Sequence, residues 1–244
     1  SNLLVAIWFA IFSIPTFLFV KDKPISQRMS FSLVKNSYAQ IRNTFREIKK
    51  YKQTSRFLIA RILYNDGLIT IFSFGGIYAA GTFGFTISEV IVFGIVLNVV
   101  AGLGAFLFGF VDDWLGGKKT IMLSLVFLAL STLLAAIAPN RLWLWVAGIG
   151  VGFFLGPNQS ASRSLMGRFV PKKHESEFFG FFAFSGKITA FAGPLFLGIL
   201  SDAYSQRVGV ASVLLFFVVG GILLLRVDEG NVRAGSASGG AHAA

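Results

Sequence analysis

Long apolar runs alternate with short polar stretches along this chain. The runs cover Leu3 to Val20 and then lie near 57–80, 88–111, 120–138, 142–165, 178–200 and 208–226. Each is close to the ~20 residues that an α-helix needs to cross a hydrocarbon core, so the pattern predicts an all-α membrane protein. Pro15 would kink the first run, and Pro157 would interrupt the fifth, which a helical bundle tolerates.

One polar stretch, 21–56, is too long to be a turn. It carries ten Lys and Arg, opposed only by Asp22 and Glu47. Inside it Val34, Tyr38, Ile41, Phe45 and Ile48 recur at helical spacing, with Ser30 or Ser32 as candidate N-caps. This predicts an amphipathic helix with a basic outer face. It has two readings, an interfacial helix on anionic headgroups or a target for a calmodulin-like or other regulatory partner.

Composition supports the membrane reading, because 14% charged residues is well below the ~25% of soluble domains. The formal net charge of +11 sits in the loops between runs, where topology explains it without nucleic acid. The turns at 81–87, 139–141 and 201–207 are poor in positive charge. Lys118 and Lys119, the cluster Arg163, Arg168, Lys172 and Lys173, and Arg226 with Arg233 lie on the other side. The positive-inside rule makes that side, the 21–56 loop and the C-terminus cytoplasmic. The absence of cysteine excludes disulfides and thiolate metal sites. His174 has no second ligand nearby and reads as a surface residue. No cofactor is expected. The chain opens at Ser1 inside an apolar helix, without a signal-peptide cleavage pattern, and is expected to be a fragment.

Gly109 to Thr120 is a polar hairpin between two apolar runs, with Gly116 and Gly117 at the reversal. Asp113 is placed at a helix end, where a carboxylate can cap free N–H groups of a neighbouring helix. Gly109, Asp113, Gly116 and Lys118 at this spacing resemble the signature loop of the major facilitator superfamily. Trp114 and Gly117 stand where that loop is usually basic. The resemblance implies the major facilitator fold, here a six-helix C-terminal bundle (57–226) after the last helix of the N-terminal half (1–20). The basic central loop (21–56) joins them, and 227–244 is a flexible tail. Trp8 to Pro15, Tyr64 to Gly67, Gln159 to Ser164, Glu177 to Gly180, Gly186-Lys187, Gly193-Pro194 and Ser205 to Arg207 extend the resemblance. They are similar to the autophagy-related vacuolar effluxer branch and its bacterial relatives. That branch implies efflux of amino acids and, for a bacterial member, an inner-membrane location.

Ionisable groups inside a bilayer are costly and read as functional until shown otherwise. Asp66 lies roughly 14 Å into its run at 1.5 Å per residue. Lys187 is about as deep and Asn98 reaches a similar depth from the other side, near the midplane where transporters hold substrate. Asp66 and Lys187 are expected to face a cavity, paired or sharing a zwitterion, with Asp66 a candidate proton carrier. A purely structural ion pair is the competing reading. Tyr64 and Asn65 flank Asp66. Asn158 and Gln159 would bind solute or satisfy a helix broken at Pro157. Arg61, one turn inside the edge, is expected to snorkel. Small residues Gly148, Gly152 and Gly156, and Gly102, Ala105 and Gly109, mark faces for close helix approach.

No nucleophile–base set, paired histidines or nucleotide loop is present, so an enzyme is not expected. The expected function is a secondary transporter moving a small polar solute by alternating access. The alternative is a half-size membrane interaction or regulatory protein that does not transport alone. A lone half would expose its inner groove, so a missing six-helix half or a second copy is the expected partner, with the lipid bilayer around it.

Overall fold

The computed structural model describes residues 2–19, 51–170 and 175–229. The basic loop helix expected at 34–48, its caps, His174 and the tail beyond 229 lie outside the described residues. The chain divides into two compact units, Ser1–Asn43 and Thr44–Ala244. In the first, α1 (Asn2–Phe19) continues through Pro15. The second contains α2 (Lys52–Phe83), α3 (Ile87–Leu115), α4 (Gly117–Ile137), α5 (Arg141–Phe169), α6 (Glu175–Ser185), α7 (Ala192–Ala203) and α8 (Gln206–Leu225). Among the described residues there is no strand, and the fold class is the all-α one the apolar pattern predicts.

Local chemistry fixes the ends. Gly84 closes α2 in the left-handed conformation (φ 66°), which a residue without Cβ adopts freely. Thr86 opens α3 with a capping box, accepting from the Glu89 N–H while the Glu89 carboxylate accepts from its own N–H. Arg141 braces this corner by donating to the Phe83 and Gly84 carbonyls at 2.9 and 2.6 Å and to Glu89 at 3.1 Å. Asn140 caps α5 and Ser205 caps α8.

Four helices, α2, α3, α4 and α8, are long and apolar enough to cross a membrane. The other three expected crossings differ for separate reasons. The apolar stretch of α1, Leu3–Phe19, is shorter than the four. Helix α5 has ample length at 29 residues, yet Asn158, Ser162 and the basic residues of its second half lower its hydropathy. The run at 178–200 is not one helix. It stops at Ser185, passes through turns at 186–191 and restarts at Ala192. Pro194 accounts for the restart, since its ring would meet the Ala190 carbonyl in a continuous helix, whereas a first-turn proline is tolerated.

Pro157 does the opposite of what was expected, because α5 runs straight through it. The Phe153 carbonyl, deprived of its partner by Pro157, is pressed against Gly104 of α3, where a Cβ would collide with it. Close packing against α3 covers that carbonyl, and the helix continues past the proline. Helix α5 packs between α3 and α4, while α8 packs on α2, α4 and α7. Gly148, Gly152 and Gly156 do form the close-approach stripe of α5. They meet Phe93, Leu97 and Ala101 of α3, whereas Gly102 and Gly109 face open space.

Candidate functional site

The interruption between α6 and α7 lies against α2, and α2 stitches it from both sides. Arg61 donates to the Phe182 carbonyl and to Ser185 Oγ, both at 2.8 Å, and its guanidinium lies 3.6 Å from the Phe182 ring centre. It therefore meets the carbonyl end of α6 rather than snorkelling, a role its sequence position did not suggest. Asn65 Nδ2 donates to the Gly186 carbonyl at 3.1 Å, and Thr189 Oγ1 donates to the Ile62 carbonyl at 3.4 Å.

Asp66 holds the other side. Its side chain is almost wholly buried, and Oδ2 accepts the Gly193 N–H at 2.8 Å. Helix α7 has no side-chain cap of its own at Phe191, so a carboxylate from another helix meets one of its free N–H groups. Among the described residues Asp66 Oδ1 has no hydrogen-bond partner. Gly193 has to be glycine for this approach, because a Cβ there would collide with Thr70 Oγ1. Thr70 is itself fixed by donating to the Asp66 carbonyl at 2.7 Å. A buried carboxylate oxygen with no donor, beside a helix restart, is costly.

The expected site residues divide into groups. Asp66 and Asn65 share the interruption with Lys187, which lies exposed within its turns. Among the described residues no ion pair joins Asp66 to Lys187, and the donor to Asp66 Oδ2 is the Gly193 N–H. Asn98 is exposed and donates to the Gly94 carbonyl of its own helix at 2.9 Å, so no hydrogen bond brings it to the other two. Tyr64 and Asn158 belong to a separate buried network. The Tyr64 and Ser162 hydroxyls lie 2.9 Å apart, Ser162 donates to the Asn158 carbonyl, and Asn158 Nδ2 donates to Ser124 Oγ at 2.9 Å. This network joins α2, α5 and α4. Gln159 is exposed next to it.

The signature hairpin carries a second cluster. Gly116 makes the reversal with φ 87°, and Gly109 faces open space on α3. The cap expected of Asp113 is supplied by a different residue. Asp113 is exposed, while its neighbour Asp112 is buried and accepts from Arg168 at 3.2 Å. The first N–H groups of α4, on Gly117 and Lys118, donate to Glu229 at 3.3 Å each. Arg168 also pairs with Glu229 at 2.9 Å, which ties α3, α5 and the segment after α8 together. Replacing Arg168 by alanine would leave two partly buried carboxylates facing the same space. Because Arg168 is partly exposed, the expected loss is about 1–2 kcal/mol. Thermal unfolding in detergent checks it, with Asp112→Asn expected to restore part of the loss in the Arg168→Ala background.

The chain is 27% identical over 230 residues to a protein of Bacillus subtilis named "Uncharacterized MFS-type transporter YxiO", covering 94% of this chain and 53% of that one. It is 26% identical over 271 aligned positions to "Autophagy-related protein 22" of Yarrowia lipolytica, covering 95% and 45%. With the protein of the same name in Cryptococcus neoformans the identity is 26%, covering 87% and 41%. The chain thus spans about half the length of the curated relatives it matches. Residues 1–235 match the family described as "Vacuole effluxer Atg22 like", and this apolar, membrane-integral chain belongs to that family.

Proposed function

We propose that this chain provides the second half of a secondary transporter that moves a small polar solute by alternating access. Amino acids are the solute class. The observation that carries the reading is Asp66, a buried carboxylate with one oxygen unmatched among the described residues, set against an interrupted helix. Discontinuous helices beside a lone charge are where secondary transporters hold solutes and coupling ions. The two charges suit a zwitterion, with Asp66 for the ammonium and the exposed Lys187 for the carboxylate. Asp66 is closed off in this conformation, so solute reaches it when the 186–191 turns move away from α2. The rest of the path comes from a second six-helix half.

The basic ends, including Lys118, Lys119 and Arg226, are placed on the cytoplasmic side of a bacterial inner membrane. The experiment is uptake and efflux of labelled amino acids by proteoliposomes containing the full-length polypeptide, with and without a pH gradient. Saturable, gradient-dependent flux of a zwitterionic solute is the expected result. Absence of flux for every amino acid in both directions would overturn the reading in favour of a non-transporting membrane protein.

A further inference from the structure

A groove of about 440 Å³ runs between α4 and α8, lined by apolar side chains. Met122, Val126 and Leu130 form its α4 wall, and Val218, Ile222 and Leu225 form much of the other. Both helices are membrane-crossing by length and hydropathy, so the groove opens toward acyl chains. Its size falls within the ~300–1,000 Å³ of small-molecule sites.

One end of the groove is basic. On α4, Lys119 precedes Met122, Val126 and Leu130 at steps of three, four and four, which places it on the groove-facing row. On α8, Arg226 follows Val218 and Ile222 at steps of four, on the matching row. The helices are antiparallel there, because Lys118 Nζ donates to the Leu225 and Val227 carbonyls. Lys119 and Arg226 are both exposed, and neither side chain has a hydrogen bond or ion pair among the described residues. Glu229, close to Lys118, is taken up by Arg168 and the first N–H groups of α4.

We infer that this groove is a binding site for an anionic phospholipid. One acyl chain lies along the apolar walls, and the headgroup phosphate sits between Lys119 and Arg226. Charge complementarity selects the occupant, because an apolar slot alone would accept any lipid, whereas two unpaired cations at its mouth favour a negative headgroup. Basic pockets between membrane helices recognise anionic lipids in this way. The inference is independent of whether the protein transports.

Native mass spectrometry of the full-length polypeptide in detergent tests it, with dioleoyl-phosphatidylglycerol and dioleoyl-phosphatidylcholine added at equal concentration. Two basic residues correspond to roughly a thirtyfold preference for the anionic lipid. The Lys119→Gln, Arg226→Gln double variant is expected to bring the two lipids near parity. Lys52→Gln with Arg163→Gln removes the same charge from exposed positions off the groove and is expected to keep the preference. Gly221→Leu projects into the groove, where a Cβ would meet only Leu125 at 3.9 Å, and is expected to reduce retention of both lipids. An unchanged preference in the groove pair, an equal loss in the control pair, or unchanged retention in Gly221→Leu would each overturn the site. So would a stable dimer that excludes lipid, since a second copy would then occupy the groove.

Discussion

Asp66→Asn in the full-length polypeptide is expected to reduce apparent solute affinity by roughly 10–150-fold, the loss of one hydrogen bond to a charged group. Dependence of flux on the pH gradient should disappear with it. The substitution is nearly isosteric, so the side-chain oxygen can still accept from Gly193, and α7 keeps its cap. The shared carboxylate charge is lost, and an amide group takes the place of Oδ1, the oxygen with no partner among the described residues. Stability should change by about 1 kcal/mol or less, because relief of a lone buried charge opposes the cost of an unpaired amide N–H. Transport and stability therefore separate at this residue.

Asp66→Ala provides the contrast. It removes the cap as well as the charge and is expected to cost about 0.5–2 kcal/mol beyond its effect on flux. If Asp66→Asn transports with unchanged affinity and unchanged pH dependence, the carboxylate is only a structural cap for α7. A zwitterionic solute further requires that Lys187→Ala weaken affinity without abolishing the pH dependence. The Lys187 side chain has no ion-pair partner among the described residues, so its loss should leave the unfolding midpoint in place.

The helices were legible because membrane-crossing segments advertise themselves by apolar length, and Gly116 marks the reversal of the hairpin in a familiar way. The interruption at 186–191 was hidden for the same reason. Gly186, Lys187 and Thr189 are too few to break the apolar length of the run, and Lys187 reads as a site residue rather than as a break, so only Pro194 is left as a local signal. Pro157 carried the same signal and misled, because whether a proline breaks a helix depends on what packs against the orphaned carbonyl. In the hairpin, the sequence reading favours Asp113, whereas the buried carboxylate is Asp112, and adjacent residues point about 100° apart on a helix. Both remote caps, Asp66 on α7 and Glu229 on α4, come from segments far along the chain. No periodicity within one element can reveal such a partner. Asp66 still stood out, because an acidic residue deep in an apolar run is costly to bury and needs a partner or a task to persist there.

Gly156→Leu is expected to produce the largest loss of stability in the bundle, about 3 kcal/mol or more. A Cβ at Gly156 would collide with the Ala101 carbonyl oxygen and lie 3.1 Å from Ala105 Cβ. The first obstacle is backbone, so no rotamer change relieves it and α3 itself must move. Overpacking a well-filled interior typically costs about 1–3 kcal/mol even where side chains can yield. Gly152 approaches the Leu97 carbonyl at 2.8 Å for the same hypothetical Cβ, so α3 cannot pivot about that turn to make room. For a bundle of this length, the midpoint of thermal unfolding in detergent should fall by roughly 6–12 °C. Gly102→Ala, on the same α3 but facing open space, should leave the midpoint unchanged or raise it slightly, since alanine favours a helix over glycine by about 1 kcal/mol. Equal midpoints for Gly156→Leu and the unsubstituted protein would mean that α3 and α5 stand further apart in the membrane. The carbonyl left free by Pro157 would then need a partner other than the close face of Gly104.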